Sequence, residues 1–253
     1  MTVVVTDAIV LHAFDYLESS RIVRLATRES GVLSVLARGA RRSRNNFGSA
    51  LDLFAEGVAH IHTRTGRELQ TLAGFDTVRA RGALALDLER FSAASAIAEL
   101  TLRFFQDAAH VAVFDVLRGA LDAIAAASPD EARETGIAAA WQLVAELGFA
   151  PSLDVCASCH AELDVDSAAP FSHAGGGVVC PRCARSVPLD RALPSDARRT
   201  IRLWLGGVCP QGTGEPELRA HQRLLREFLM HHLADDRELR AFASWEQGAL
   251  RSA

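Results

Sequence analysis

The chain contains no lysine: all 27 of its basic residues are arginine. Each cation therefore carries a planar, bidentate, stacking head rather than a compact point charge. Cysteine is scarce too, five in 253 residues, which excludes a disulfide-built secreted scaffold. No apolar run approaches the ~18 residues a membrane helix needs, so no span is expected. The N-terminus is apolar but lacks a basic n-region and is broken by Asp7 and His12. A signal peptide is therefore not expected, and a cytoplasmic protein is. Internal repeats and low-complexity tracts are absent from the pattern. Charge of one sign does not dominate: the net charge of −4 argues against a protein that coats nucleic acid over its whole surface.

Apolar residues make up 49% of the chain and charged residues 23%. That composition describes a globular protein with real cores, and the length suits one large domain or two to three small ones. The charge is uneven. Residues 1–82 hold 11 Arg against 8 acids, a net of +3, which leaves −7 for the remainder.

The first 80 residues read as β structure. Val3–Val5 and Ile9–Leu11 open the first strand, and Ile22, Val23 and Leu25 mark a second that ends at Glu29-Ser30-Gly31. Val32, Leu33, Val35 and Leu36 mark a third, residues 50–63 a fourth, and Leu69–Val78 a fifth after the Thr65-Gly66 turn. Five short strands with glycine turns fit a small closed barrel.

The period then changes. Apolar positions at Leu84, Leu88, Phe91, Ala94, Ile97, Leu100 and Phe104 predict a helix over 82–107. Helices are also expected over 110–126, from the Ser128-Pro129 start to Leu147, over 195–205, and over 216–234. Between them, residues 151–190 are rich in Pro and Gly and contain four of the five cysteines. The expected organisation is α+β: a barrel at 1–80, a helical domain from 81–150 and 191–253, and an insert at 151–190.

Cys156-x-x-Cys159 and Cys180-x-x-Cys183 are separated by twenty residues. Each pair can turn two thiolates toward one Zn²⁺ at about 2.3 Å, and four thiolates close a tetrahedral site with no open position. The expected cofactor is thus one structural zinc. Cys156-x-x-Cys159-His160 also matches covalent haem attachment. A second pair nearby, no export signal, and Met230 in a core-like helix as the only internal Met count against haem. His160 is read as lying beside the site or exposed, His173 as an alternative ligand, and Cys209 as a small packed thiol.

Arg38, Arg41, Arg42 and Arg44 fall within seven residues that hold no acid, between two expected strands. Such a loop on a barrel can follow a phosphate backbone; it also fits a solvated charge run. Asn45, Asn46 and Phe47 follow, while Phe14, Tyr16, Phe54 and Phe75 fit either barrel core or a stacking surface. No catalytic constellation emerges. Gly175-Gly176-Gly177 lacks the Gly-Lys-Ser/Thr end of a P-loop, and His231-His232 lacks a His-Glu-x-x-His frame. A zinc-ribbon transcription regulator is the alternative reading, although the insert offers only Arg182, Arg185 and Arg191 for reading bases.

The ordered set of parts resembles the RecO family. The resemblance runs through Ala8–Leu11, Thr27 and Gly31, Ala37–Arg42 and Glu68-Leu69-x-Thr71-Leu72. It is densest over Leu147–Pro151, Leu153-Asp154 and the two cysteine pairs, with Phe171-Ser172 and Gly176–Val178 between them. It implies an N-terminal OB fold, a C-terminal helical domain and a zinc module; with no catalytic constellation in the residues, a non-enzymatic protein is expected. It also implies binding and annealing of DNA, single- and double-stranded. The implied partners are RecR, the acidic C-terminal tail of single-strand-binding protein and, indirectly, RecA. By position it makes Arg38, Arg41 and Arg42 DNA contacts. One departure stands out: the family usually has Gly after the second cysteine, and here it is His160. Arg198, Arg199 and Arg202, or Arg219, Arg223 and Arg226, are candidate basic patches for the acidic tail.

Overall fold

The computed structural model describes residues 2–42, 47, 50–105, 110–232 and 238–251. Arg44, Asn45 and Asn46, part of the expected arginine loop, lie outside the described residues. Among the described residues no helix is long and apolar enough to cross a membrane.

Five strands form the N-terminal barrel: β1 Thr2–Tyr16, β2 Ser20–Thr27, β3 Gly31–Ala37, β4 Glu56–Thr63 and β5 Leu69–Arg79. The barrel closes in the order β1-β2-β3-β5-β4, with β4 returning to β1. Every pairing is antiparallel except β3 with β5, which runs parallel from Ser34↔Leu69 to Ala37↔Leu72. That order is the Greek-key arrangement of an OB fold. The first strand is long enough to serve two neighbours. Its start pairs with β4 and its end with β2, and a register shift between Val10 and His12 bends it between them. Inward positions alternate as the pleat requires: Val23 and Leu25, Val35 and Ala37, Ala59 and Ile61 are all fully buried.

The fourth strand starts later than its sequence suggests, at Glu56 instead of residue 50. Residues 50–55 form turns that fill the core with Leu51, Phe54 and Ala55. Leu51 and Phe54 are three apart, the spacing of a turn, not a strand. Phe54 N–H donates to the Val10 carbonyl and Val10 N–H to Ala55, which pins this segment to the bend in β1.

The helices are α1 Leu88–Phe104, α2 Val111–Ala126, α3 Ala132–Glu146, α4 Ser195–Leu205, α5 Glu215–His232 and α6 Arg240–Arg251. Three short strands, β6 Ala169–Ser172, β7 Gly177–Val178 and β8 Arg191–Leu193, make a separate sheet in the order β7-β6-β8. Residues 82–86 form a 3₁₀ turn ahead of α1, so the helix expected from 82 begins at Leu88.

The chain divides into two compact units: residues 1–87 with 97–126, and residues 88–96 with 127–253. In the first, Arg28 forms two 2.9 Å bonds to the Asp115 carboxylate of α2. The buried Arg81 bonds to Glu56, Asp122 and the Phe54 carbonyl. In the second, α3 is buried nearly all round and packs on α4 and α5. Ser128 and Glu131 form a reciprocal capping box before it: Ser128 N–H and its hydroxyl donate to Glu131, and Glu131 N–H donates back.

Candidate metal centre and nucleic-acid surface

Both cysteine pairs stand at turns. His160 N–H donates to the Cys156 carbonyl, and Ser186 N–H to that of Cys183. The backbone hydrogen bonds Ala157 N–H to Val178 and Val178 N–H to Ser152 hold the two turns face to face. Gly177 makes this approach possible. A Cβ there would stand 2.2 Å from the Ser152 carbonyl oxygen, and its φ of +156° is one that side chains rarely adopt.

The four Sγ atoms of Cys156, Cys159, Cys180 and Cys183 lie within 4.8 Å of one another. A tetrahedron with 2.3 Å metal–sulfur bonds has edges of about 3.8 Å, and Cys159 and Cys180 are 3.8 Å apart. Cys180 N–H points at Cys156 Sγ (3.3 Å), and Cys183 N–H at Cys180 Sγ (3.4 Å). These donors stabilise sulfur anions. Burial opposes the charged form of Cys156, but the backbone N–H groups of Cys180, Cys159 and Ser158 outweigh it and bring the thiol to about 6. Cys183 moves the other way: the Ser158 side chain favours its anion, but the Cys159 and Cys180 sulfurs outweigh that and push it to about 11. Four sulfurs this close cannot all be anions unaided; a dication resolves the conflict. The residues fit a structural metal. A metal held by all four would have no position left open for chemistry. Convergence of both pairs is also what a single haem-binding pair would not require.

His173 is not a fifth candidate in this cluster. It is buried with its ring edge-on to Phe171 at 5.3 Å, and its Nε2 lies 3.3 Å from Glu227. His160 is exposed, at φ +59°. Cys209 stays apart, and burial, its largest influence, pushes it up to about 11.

The arginines of α4 and α5 face acids or carbonyls, and of these Arg199 and Arg223 keep more than half of their side-chain surface exposed. Arg198 is fully buried and donates to the carbonyls of Leu153 (2.6 Å), Asp164 and Ser167 (2.7 Å each). Arg199 pairs with Asp166 and Asp196, and Arg202 with Asp154. Arg219 pairs with Glu215, and Arg223 and Arg226 face Glu246. Arg198, Arg202 and Arg226 fasten elements to one another, whereas Arg219 pairs within α5.

Arg38, Arg41 and Arg42 follow the end of β3 and are exposed. Their surroundings differ. Arg41 donates to the Leu17 and Glu18 carbonyls at 3.2 and 3.4 Å and lies 3.2 Å from Asp15, so its guanidinium is engaged with the β1–β2 turn. Arg38 lines two adjoining clefts. One, of about 410 Å³, includes Tyr16, Leu17, Leu36 and Arg42; the other, of about 350 Å³, includes Leu36, Arg67, Gln70 and Thr71. Gln70 was not legible as a candidate. Its side chain accepts from Arg64 N–H and donates to the Arg64 and Arg67 carbonyls, pinning the β4–β5 turn. Only the parallel β3–β5 pairing brings it beside Arg38, and no local sequence signal encodes that.

Two family models cover the chain. Recombination protein O N terminal matches residues 1–81, and Recombination protein O C terminal matches 85–240. The chain belongs to the RecO family. It is 38% identical over 234 residues to the DNA repair protein RecO of Anaeromyxobacter dehalogenans (strain 2CP-C), covering 89% of each chain. It is 35% identical to that of Myxococcus xanthus (strain DK1622), covering 90% of this chain and 91% of that one. With RecO of Symbiobacterium thermophilum it shares 33% over 79% of each. The closed barrel and the helical part with its cysteine cluster are thus the two family segments in order.

Proposed function

We propose that this protein is a non-enzymatic recombination mediator for DNA repair. It binds and anneals single-stranded DNA, contacts duplex DNA, and works with RecR to help RecA load on strands coated by single-strand-binding protein. The observation that carries the reading is the pair of clefts joined at Arg38 on the barrel of a RecO-family chain. Arg38 and Arg42 are the phosphate ligands in this reading, and Arg41 acts chiefly by holding the turn beside them. Arg44 belongs to the same loop in sequence.

The mechanism is physical. Guanidinium groups displace counterions from phosphates, so affinity falls with salt by ~0.7 log units per log unit for each phosphate contact on a single strand. Two like-charged strands held on one surface anneal faster because their repulsion is screened; no covalent bond is made. The four cysteines hold one zinc ion that stabilises the fold around the insert. The setting is the cytoplasm, at the nucleoid, and the acidic tail of single-strand-binding protein is the contact that recruits the mediator to coated strands.

The test is annealing of complementary strands precoated with single-strand-binding protein, with and without its acidic tail. Acceleration that requires the tail is expected. Arg38→Ala with Arg42→Ala should flatten the salt dependence by about 1.4, two phosphates at ~0.7 each. An unchanged slope would show the loop to be a solvated face, and magnesium-dependent cleavage of labelled DNA by the pure protein would overturn the non-enzymatic reading.

A further inference from the structure

We propose that the outer face of β1 is a base-stacking platform for unpaired nucleotides, built from His12, Phe14 and Tyr16. The inference rests on the DNA-binding reading above and specifies which part of the strand this face takes.

The described aromatic residues of the first 80 positions sort into two groups. Phe47, Phe54 and Phe75 are core, at 7, 2 and 5% exposure, whereas Phe14 and Tyr16 remain 43 and 39% exposed. Both stand on a strand in register with its neighbour, Phe14 opposite Ile22 and Tyr16 opposite Ser20. Their exposure is therefore set by the pleat and not by a loose end. His12, Phe14 and Tyr16 alternate along β1, so they share one face and are spaced about 6.8 Å apart. The His12 and Phe14 rings are already neighbours, with centroids 5.6 Å apart and planes tilted by 50°. Beside Phe14, the same outer face continues through Ile22, Leu36 and Thr71 on successive strands, each half-buried. Aliphatic side chains thus support the rings from the side.

The cations stand at one end of this row. Tyr16 lines the same cleft as Arg38 and Arg42. A ring that takes the face of a base, next to guanidinium groups that take its phosphate, is the combination that binds single strands without reading sequence. The two turns that flank Arg38 are pinned, by Arg41 on one side and Gln70 on the other. The surface is therefore set before the strand arrives, which lowers the ordering cost of binding. Duplex DNA cannot use the rings, because its bases already stack on one another. The platform thus makes single strands the preferred ligand, while the arginines serve both forms.

Tyr16 is the only tyrosine in the chain, so protein grown with 3-fluorotyrosine gives a single ¹⁹F resonance. A single-stranded oligonucleotide of mixed sequence should shift it, and a blunt duplex of the same sequence should not. Phe14→Leu with Tyr16→Leu should weaken single-strand binding roughly tenfold and leave duplex binding unchanged, whereas Arg38→Ala should weaken both. If the native protein binds single strands with the resonance unmoved, or the double variant binds them equally well, the platform is overturned and the DNA-binding reading stands. If the native protein binds neither form, the DNA-binding reading itself fails and the platform falls with it.

Discussion

At His160 the backbone turns left-handed, φ +59°, immediately after Cys159 of the four-sulfur cluster. A side chain in that conformation is disfavoured by roughly 1–2 kcal/mol relative to glycine, and the family resemblance leads one to expect glycine there. The His160 side chain is exposed, so little packing offsets the strain. Replacing His160 by Gly should therefore stabilise the metal-loaded protein. The gain should be about 1 kcal/mol, less than the full strain because glycine also loosens the unfolded chain. In a protein of this size that raises the melting temperature by roughly 2–4 °C. Calorimetry on the two zinc-loaded proteins checks it, and a lower melting temperature would mean that the imidazole contributes an interaction of its own. Arg41 gives a second lesson at this scale. It is three residues from Arg38 with the same chemistry, yet Arg41 is engaged by the Leu17 and Glu18 carbonyls while Arg38 lines the clefts. Spacing placed both in one loop; only the β1–β2 turn, contributed by residues 24 positions earlier, separates their roles.

Among the elements, α4 depends most on the cysteine module. Arg198 reaches from it into the carbonyls of Leu153, Asp164 and Ser167, and Arg202 reaches Asp154. A buried guanidinium whose partners are carbonyl oxygens is stable only while those loops keep their shape. The loops in turn are shaped by the turns that carry the four sulfurs. Removal of the metal should thus loosen the module and then α4, whose Trp204 is fully buried against His221 with ring centroids 4.7 Å apart. Binding of metal at such a site is folding energy, so a strong chelator should lower the tryptophan-reported melting temperature and shift the emission to the red. Cys156→Ser with Cys159→Ser should reproduce both effects and abolish zinc content measured by emission spectrometry. An unaltered tryptophan transition after complete zinc loss would show that α4 stands without the module.

At the scale of the whole molecule, what was legible in the sequence was local. The four cysteines could be read because each pair sets its own turn, and the order barrel, helices, insert, helices because hydrophobic period is a local property. Residues 50–55 carry in Leu51, Phe54 and Ala55 the apolar content of a strand, but their turn is fixed by Val10, far away in the chain. The strands β6 to β8 are too short to leave a periodic signal. The arginines were the hardest to read, since sequence shows a cation but not its partner. Arg21, Arg28, Arg79, Arg81, Arg133, Arg191 and those of α4 and α5 already face carboxylates or carbonyls. Exposed pairs of this kind add little stability, but they cancel the local field that would draw in a phosphate. With a net charge of −4 and most described cations paired in this way, DNA can be neutralised only over a short track. The slope of log affinity against log salt for a single strand should accordingly be shallow, roughly −1.4 to −2.8, for two to four phosphates at ~0.7 each. Titrations from low to moderate salt measure it directly. A slope steeper than −5 would require contacts well beyond the Arg38 clefts and would mean that the paired arginines open to receive DNA.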